Sequence, residues 1–424
     1  MKAWLEQALE LDREDPLRAF RDEFWIPRHA DGDDQLYFCG NSLGLQPRRL
    51  QDAMTRELEA WQSLGVEGHF AADTPWVSYH EVLREPLAGL LGALPSEVVA
   101  MNSLTVNLHL MMVSFFRPAG ARRKILIERQ PFPSDRYAVE SQLRWHGLDP
   151  AECLVEFGAG ADDRLIDESL IEEYLRDHGE QVALVLWPGV HYATGQRFDL
   201  QRIAAAARAA GAAVGFDLAH AAGNLPLQLH DSETDFACWC SYKYLNSGAG
   251  SVAGCFVHER HHDRAELPRL HGWWGADPAT RFMMGPEFRP AKGADAWQLS
   301  NPPILAMAPL RASLQLFEEA GMAALREKST RLTGWLADLV ASEFDDLLEI
   351  ITPGEPERRG CQLSLRVRAG REAGRRLFEH LAAGGAITDW REPDVIRVAP
   401  VPLYNRFEDC ARFGALLRSF GCGK

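Results

Sequence analysis

The chain has 424 residues, 46% hydrophobic and 25% charged, with a formal net charge of −15; this is the composition of an ordinary soluble protein with core enough for two or three domain-sized units. The acidity argues against nucleic-acid or anionic-membrane partners, which need a basic surface, but leaves room for an anionic ligand in a locally basic pocket. No apolar run is long enough to span a bilayer, and eight cysteines without a Cys-x-x-Cys pair, the last of them Cys422, read as reduced, mostly buried thiols of a cytoplasmic protein.

Met1 to Phe20 alternates acids with Leu, Ala and Trp, the pattern of an amphipathic helix and not of a signal peptide. Leu36–Cys39 suits a short strand, followed by Gly40-Asn-Ser-Leu-Gly44 and a helix opening at Pro47. Gly-Asn-Ser-Leu-Gly fits the pattern of a hydrolase nucleophile elbow centred on Ser42, although it lies before any parallel sheet that could hold it. From about residue 80 helices and strands alternate. Helical runs fall near 80–92, 104–116, 136–147, 167–178 and 200–211, and apolar strand-like runs at Lys124–Ile127, Val182–Trp187, Ala212–Phe216, Phe236–Cys240 and Ser251–Val257. Continuous apolar strands between amphipathic helices predict an α/β fold, a mostly parallel sheet covered by helices on both faces. Ligands of such sheets bind beyond the carboxyl ends of the strands.

Four features fall at that edge. Phe236–Cys240 delivers Ser241-Tyr242-Lys243 into a Gly-rich turn. An ammonium there resists desolvation, and a lysine amine of lowered pKa that forms a Schiff base with an aldehyde cofactor is the chemistry that uses such a placement; a strand-end lysine reaching into solvent is the plain alternative. Met101–Asn107 sets small polar residues before an apolar helix, an N-cap and an anion cradle. Phe132-Pro-Ser-Asp135 opens another helix, with Ser134 or Asp135 as its cap. Asp217-Leu-Ala-His220 places a carboxylate where a strand should stop.

His258-Glu-Arg-His-His262 matches a zinc pattern, but its charged surroundings suit a solvated turn, with no metal. His271-Gly-Trp-Trp-Gly275 suits a loop presenting flat surfaces to a ring, or core packing. Two prolines in Leu299-Ser-Asn-Pro-Pro-Ile304 mark a boundary, after which a long helical region runs to about 345. Strands near Gln362–Val367 and Val395–Val398 and helices at 371–383 and 406–419 suit a smaller C-terminal α+β domain. Within it, Arg397 lies in an apolar strand; a substrate carboxylate or an internal Asp or Glu would serve equally as its partner.

Ser-Tyr-Lys-Tyr-Leu-Asn, Phe-Pro-Ser-Asp, Asp-Leu-Ala-His, Gly-Trp-Trp-Gly, Ser-Asn-Pro-Pro-Ile and Ile-Arg-Val-Ala-Pro-Val-Pro-Leu-Tyr-Asn, in that company and spread from Gly40 to Tyr404, together resemble kynureninase, a pyridoxal-phosphate hydrolase of the aspartate-aminotransferase fold. The resemblance implies three units: an N-terminal arm (1–50) packing with the small domain, a large cofactor-binding domain (51–303) and a small C-terminal domain (304–424). It implies that Lys243 carries pyridoxal 5'-phosphate as a Schiff base. Tyr242 would reach the phosphate and give a proton to the departing fragment, and Leu104, Thr105 and Ser134 would belong to the phosphate cup and its surroundings. Phe132 and Ala219 would lie on opposite faces of the pyridine ring, Asp217 would pair with its nitrogen, and Asp135 and His220 would complete the polar contacts. Trp273 and Asn301 would touch cofactor or substrate, some of these contacts coming from the other subunit of a homodimer with shared active sites. Arg397 would hold the substrate carboxylate, with Ser42, His69, Trp274 and Asn301 on the substrate side.

The implied reaction is hydrolytic Cβ–Cγ cleavage of L-kynurenine or 3-hydroxy-L-kynurenine to anthranilate or 3-hydroxyanthranilate plus L-alanine, in tryptophan breakdown or on a route to NAD. Hydrogen bonds from His69 and Asn301 to a ring hydroxyl, with Trp274 stacked on the ring, would favour the 3-hydroxy substrate. The rivals are a cysteine desulfurase of the same fold using Cys361, a serine hydrolase using Ser42, and a non-catalytic binding protein.

Overall fold

The aliphatic runs form a seven-stranded sheet. The computed structural model describes residues 1–158 and 164–421; Cys422 lies outside them. The strands are β1 (Leu36–Tyr37), β2 (Val98–Ala100), β3 (Lys124–Glu128), β4 (Leu154–Phe157), β5 (Val182–Pro188), β6 (Ala213–Asp217), β7 (Phe236–Trp239), β8 (Gly254–Val257), β9 (Leu348–Ile350), β10 (Leu363–Val367), β11 (Ala386–Ile387), β12 (Asp389–Arg391) and β13 (Val395–Val398). The large sheet has the order β2-β8-β7-β6-β5-β3-β4. Strands β4, β3, β5, β6 and β7 run parallel, while β8 is antiparallel to both β7 and β2.

Residues of β5 are buried throughout, as expected for a strand covered on both faces. One face packs with Leu83, Leu87, Trp187 and Phe317, the other with Met111, Leu143 and Leu184. Three of the four parallel connections carry helices, Pro133–Trp145 after β3, Glu168–His178 after β4 and Leu200–Ala209 after β5, while the chain passes from β6 to β7 through turns without one. A second sheet, β12-β13-β10-β9, is antiparallel throughout.

The N-terminal arm departs from one helix over Met1–Phe20. A helix spans Lys2–Glu14, Pro16 follows it, and a 3-10 helix takes Arg18–Glu23. The arm packs on the C-terminal region: β1 pairs parallel to β11, and Asp12 accepts the backbone N–H groups of Phe407 and Glu408 at 2.8 and 2.9 Å, at the start of the Phe407–Gly421 helix. Lys328 and Asp15 form a buried pair at 2.8 Å.

Other differences have local causes. The helical region after Pro303 is two helices, Ile304–Ala320 and Met322–Phe344, because Gly321 at φ +74° breaks the spiral between them. Strand β8 begins three residues later than expected; before it, Ala253 N–H turns aside to the Asn102 carbonyl at 2.9 Å. The helix after Phe132 takes Phe132 as its N-cap, since Pro133, with its fixed φ and no N–H, occupies the first helical position. Ser134 and Asp135 therefore lie in the first turn and do not cap it. The His258–His262 turn is only partly solvated: Glu259 is exposed, but His258 and His261 are buried. His258 Nδ1 accepts Arg260 N–H at 3.2 Å, His261 Nε2 meets Asp235 at 2.7 Å and His262 Nε2 meets the Val257 carbonyl at 3.0 Å. Glu97, His230 and His258 bring ligand-type atoms within 4.8 Å of one another, but Glu97 already accepts Leu94 and Glu259 N–H and the His258 lone pair is taken.

Candidate active site

Strand register brings the chemistry together. Pro188 pairs with Asp217, and Asp217 with Cys238, so the carboxyl ends of β5, β6 and β7 lie side by side. Glu128 ends β3 next to them. Beyond this edge lies a cavity of about 240 Å³ lined by Leu104, Thr105, Glu128, Phe132, Ser134, Asp135, Tyr192, Asp217, Ala219, His220, Tyr242 and Lys243 among others. Ten residues expected from sequence thus meet in one place.

Lys243 is buried, with Nζ 3.0 Å from His220 Nε2 and 5.8 Å from the centre of the Phe132 ring. Burial and the nearby Lys243 charge hold the His220 imidazole far below its usual pKa, so it is neutral and can accept at Nε2. Asp217 accepts Ala219 N–H at 2.7 Å, which fixes the carboxylate at the end of its strand. Burial first, then the Asp217 charge, pushes the Asp135 carboxyl well above the usual range. Burial, with a smaller push from Asp217, raises Glu128 to about 8. Burial likewise raises the Tyr242 phenol, which keeps its proton at neutral pH.

At the other end, two helices begin. Leu104–Phe115 has Ser103 as its N-cap and Pro133–Trp145 has Phe132, and neither cap residue bonds its helix through a side chain. The Thr105 and Ser134 hydroxyls join these first turns at 2.9 Å. Two helix N-termini with uncapped N–H groups and two hydroxyls form an anion cradle, the function expected of Met101–Asn107, without the side-chain cap. Asp135 Oδ1 and His220 Nδ1 are buried without a hydrogen-bond partner. A phosphorylated aromatic aldehyde fits this cavity: the cradle suits its phosphate, the carboxyls its ring nitrogen and the orphaned polar atoms its substituents.

Gly40–Gly44 approaches from the arm. Gly44 N–H donates to the Tyr242 carbonyl at 2.8 Å, and a Cβ on Gly44 would meet the Lys243 carbonyl oxygen at 2.3 Å. This contact fixes Ser42 beside the site, but not as a nucleophile elbow: Ser42 donates to Asp389 and lies 3.2 Å from both Arg391 and Arg397, and among the described residues no imidazole is bonded to it. Arg397 has an internal partner, Asp389 Oδ2 at 2.5 Å, and its Nη1 donates to the Tyr192 carbonyl at 2.8 Å.

The remaining expected residues do not line the Lys243 cavity. His69 lies on the short Gly68–Ala71 helix, edge-on to Trp76. Asn301 is exposed. Trp273 is half-exposed on the wall of a second cavity of about 560 Å³, with Phe288, Met283 and Met284. Trp274 is 1% exposed and covered by the Arg281 guanidinium at 4.4 Å. Its face is spent on that cation, and stacking on a substrate ring is not what the arrangement provides. Cys361 is also fully buried, its thiol pushed up to about 12 by burial, which removes the nucleophile a desulfurase would need.

Comparison with known proteins accords with the geometry. Kynureninase from Stenotrophomonas maltophilia (strain K279a) is 61% identical over 406 residues, 96% of each chain. The chain belongs to the kynureninase family. Kynureninase from Xanthomonas euvesicatoria pv. vesicatoria (strain 85-10) is 60% identical over the same share, and residues 325–417 match the kynureninase C-terminal domain. As a kynureninase, the chain is a pyridoxal-phosphate-dependent hydrolase acting on carbon–carbon bonds. Among solved structures, a cysteine desulfurase from Thermococcus onnurineus NA1 superimposes with a TM-score of 0.75 at 16% identity, covering 92% of this chain and 95% of that one. At such identity the likeness is one of fold alone.

Glu128 and Tyr192 line the cavity, and Asp389 and Arg391 gather with Arg397 and Ser42 beside it, without having been expected there. Glu128 had a signal: an acid one residue past a predicted buried strand, the same pattern that marked Asp217. Asp389 and Arg391 had none, because their approach to Arg397 depends on the register of β12 on β13.

Proposed function

We propose that the chain cleaves the Cβ–Cγ bond of L-kynurenine and 3-hydroxy-L-kynurenine hydrolytically, releasing anthranilate or 3-hydroxyanthranilate and L-alanine. The observation that carries this reading is the meeting of Lys243, His220, Asp217 and an uncapped two-helix cradle in one buried cavity. Pyridoxal phosphate, when bound, supplies an aldehyde for the amine and a ring that takes up the electron pair of a bond broken at or next to Cα.

This chain's residues do the rest. Lys243 would hold the cofactor through its amine and, with that amine free, would serve as the base at Cα. Asp217 would hold the ring nitrogen. Leu104 and Thr105 would hold the phosphate at the head of their helix, with Ser134 bonded to Thr105 and Tyr242 near the same group. Phe132 and Ala219 would pack on the ring, and Asp135 and His220 would hold its polar substituents. Tyr242, whose phenol burial keeps protonated, gives its proton to the departing fragment. Arg397 and Ser42 take the substrate carboxylate end.

Trp273, Asn301 and His69 act across a homodimer interface, each from the subunit opposite the Lys243 it serves. The support is that none of them lines the Lys243 cavity of its own chain, together with exposed Phe70, Phe282, Met283 and Met284 near Trp273 and His69. Residues 1–50, 51–303 and 304–424 serve as arm, large domain and small domain; the shared core of Ala8, Leu36, Phe38, Leu336, Leu377 and Phe413 supports attaching the arm to the small domain.

Two measurements test the reading. Turnover of kynurenine and 3-hydroxykynurenine, followed by arylamine release, should be found for both, with the hydroxylated substrate favoured. Cofactor binding without cleavage of either overturns the substrate. Borohydride reduction and peptide mapping should tag Lys243; a tag elsewhere overturns the site.

A further inference from the structure

Beside the Lys243 cavity, two guanidinium groups share one carboxylate oxygen. Asp389 Oδ2 accepts from Arg397 Nη2 at 2.5 Å and from Arg391 Nη2 at 2.9 Å, and both nitrogens also reach Ser42 Oγ at 3.2 Å. The cluster adjoins the cavity through Tyr192, whose carbonyl accepts from Arg397 while its ring packs edge-on to Phe132 in the cavity wall. Strand geometry builds it: Asp389 faces Arg397 directly across β12–β13, and Arg391, two residues on, returns to the same face.

The cluster is incomplete in charge and in hydrogen bonds. Two cations against one anion leave a net +1. Arg397 is 1% exposed, yet its Nε–H has no acceptor, and neither does the buried Nε–H of Arg391. Unmatched donors on buried cations are costly. Those Nε–H groups are closed off, but the Arg391 side chain is 35% exposed, and a carboxylate arriving there supplies the missing charge and meets a planar fork of N–H donors that matches it. Arg397 alone, already paired with Asp389, would present no net charge to such a ligand.

We propose that Arg391 is a second recognition residue for the substrate carboxylate, acting beside Arg397, and that Asp389 and Ser42 are positioning residues that hold the two guanidinium groups together. The inference rests on the kynureninase reading above and goes beyond it in assigning Arg391, Asp389 and the site's charge balance.

The test uses the holoenzyme and two competitive ligands differing at one group: 4-(2-aminophenyl)-4-oxobutanoate and its carboxamide. Wild type should prefer the carboxylate by about 100-fold. In Arg391→Gln that preference should fall at least tenfold, with KM for kynurenine rising more than kcat falls. Arg391→Lys keeps the charge but loses the planar fork, and should retain part of the preference. An unchanged preference in Arg391→Gln means that Arg391 only neutralises Asp389, and overturns the proposal. If Arg391→Gln fails to fold, Arg391→Lys decides, a wild-type preference in it being the overturning result. The inhibition constants are read independently of turnover, so a wild type that shows the preference yet cleaves no kynurenine sinks the substrate reading and leaves this one standing.

Discussion

Three carboxyl groups, Glu128, Asp135 and Asp217, meet at the carboxyl edge of one sheet, and burial raises the pKa of two of them, Glu128 and Asp135. Glu128 is the sharpest case, raised to about 8 by burial and by Asp217. Its proton is therefore kept by the folded protein over a pH range in which the unfolded chain releases it. The sign follows from linkage: where the folded state binds more protons, stability falls as pH rises, here from the unfolded value near 4.5 up to about 8. Glu128→Gln cannot lose a proton and should remove that dependence. Urea unfolding of the cofactor-free protein at pH 5, 6, 7 and 8 should show wild type losing ~2–4 kcal/mol more than the variant across the range. Parallel curves for the two proteins would mean that Glu128 is ionised in the fold and that its environment is more polar than it looks.

Gly44 links the arm to the lysine-bearing turn by close approach. Its missing side chain lets the turn lie against Lys243 and Asn246, where a Cβ would sit 2.3 Å from a backbone carbonyl oxygen. Backbone cannot step aside as a flexible side chain can, so Gly44→Ala should cost about 1–3 kcal/mol and should weaken cofactor binding by displacing Lys243. Denaturant midpoints and titration with pyridoxal phosphate measure the two effects; a variant with unaltered cofactor affinity would uncouple the turn from the lysine. Elements of this kind divide by how far they were legible in the sequence. The strands β3, β5, β6 and β7 announce themselves within a residue or two, since burial on both faces requires an unbroken apolar run. By contrast, β2 at three residues is too short to display any period, and β4, as long as β7 but half-exposed at the sheet edge and carrying Glu156, has no unbroken apolar run. The two helix starts could be read from small polar residues ahead of them, but not that Phe132, followed by Pro133, would take the N-cap position in place of a polar side chain. Trp274 illustrates the remaining gap: a loop tryptophan and a core tryptophan look alike until the cation covering it, Arg281, is placed by folding.

Across the whole molecule, the sheet edge assembles a lysine, carboxyls and an anion cradle from one chain, yet Asn301 and Trp273 lie outside the cavity they are expected to serve. A two-fold dimer resolves this if each site draws Lys243 from one subunit and Asn301 from the other. The arrangement has an arithmetical consequence. Lys243→Ala and Asn301→Ala homodimers should each be nearly inactive, for different reasons. A hybrid of the two concentrates both defects in one site and leaves the second site with an intact lysine and an intact asparagine. Random pairing of equal amounts makes half of the dimers hybrid, with one of two sites working, so co-expression should restore about a quarter of wild-type activity per site. Isolating the hybrid with two different affinity tags raises the expected value to about half. A tagged hybrid no more active than its parents would mean that each chain completes its own site. In that case the exposed Phe70, Phe282, Met283 and Met284 surface would need another explanation, and Asn301 would have to serve the Lys243 of its own chain.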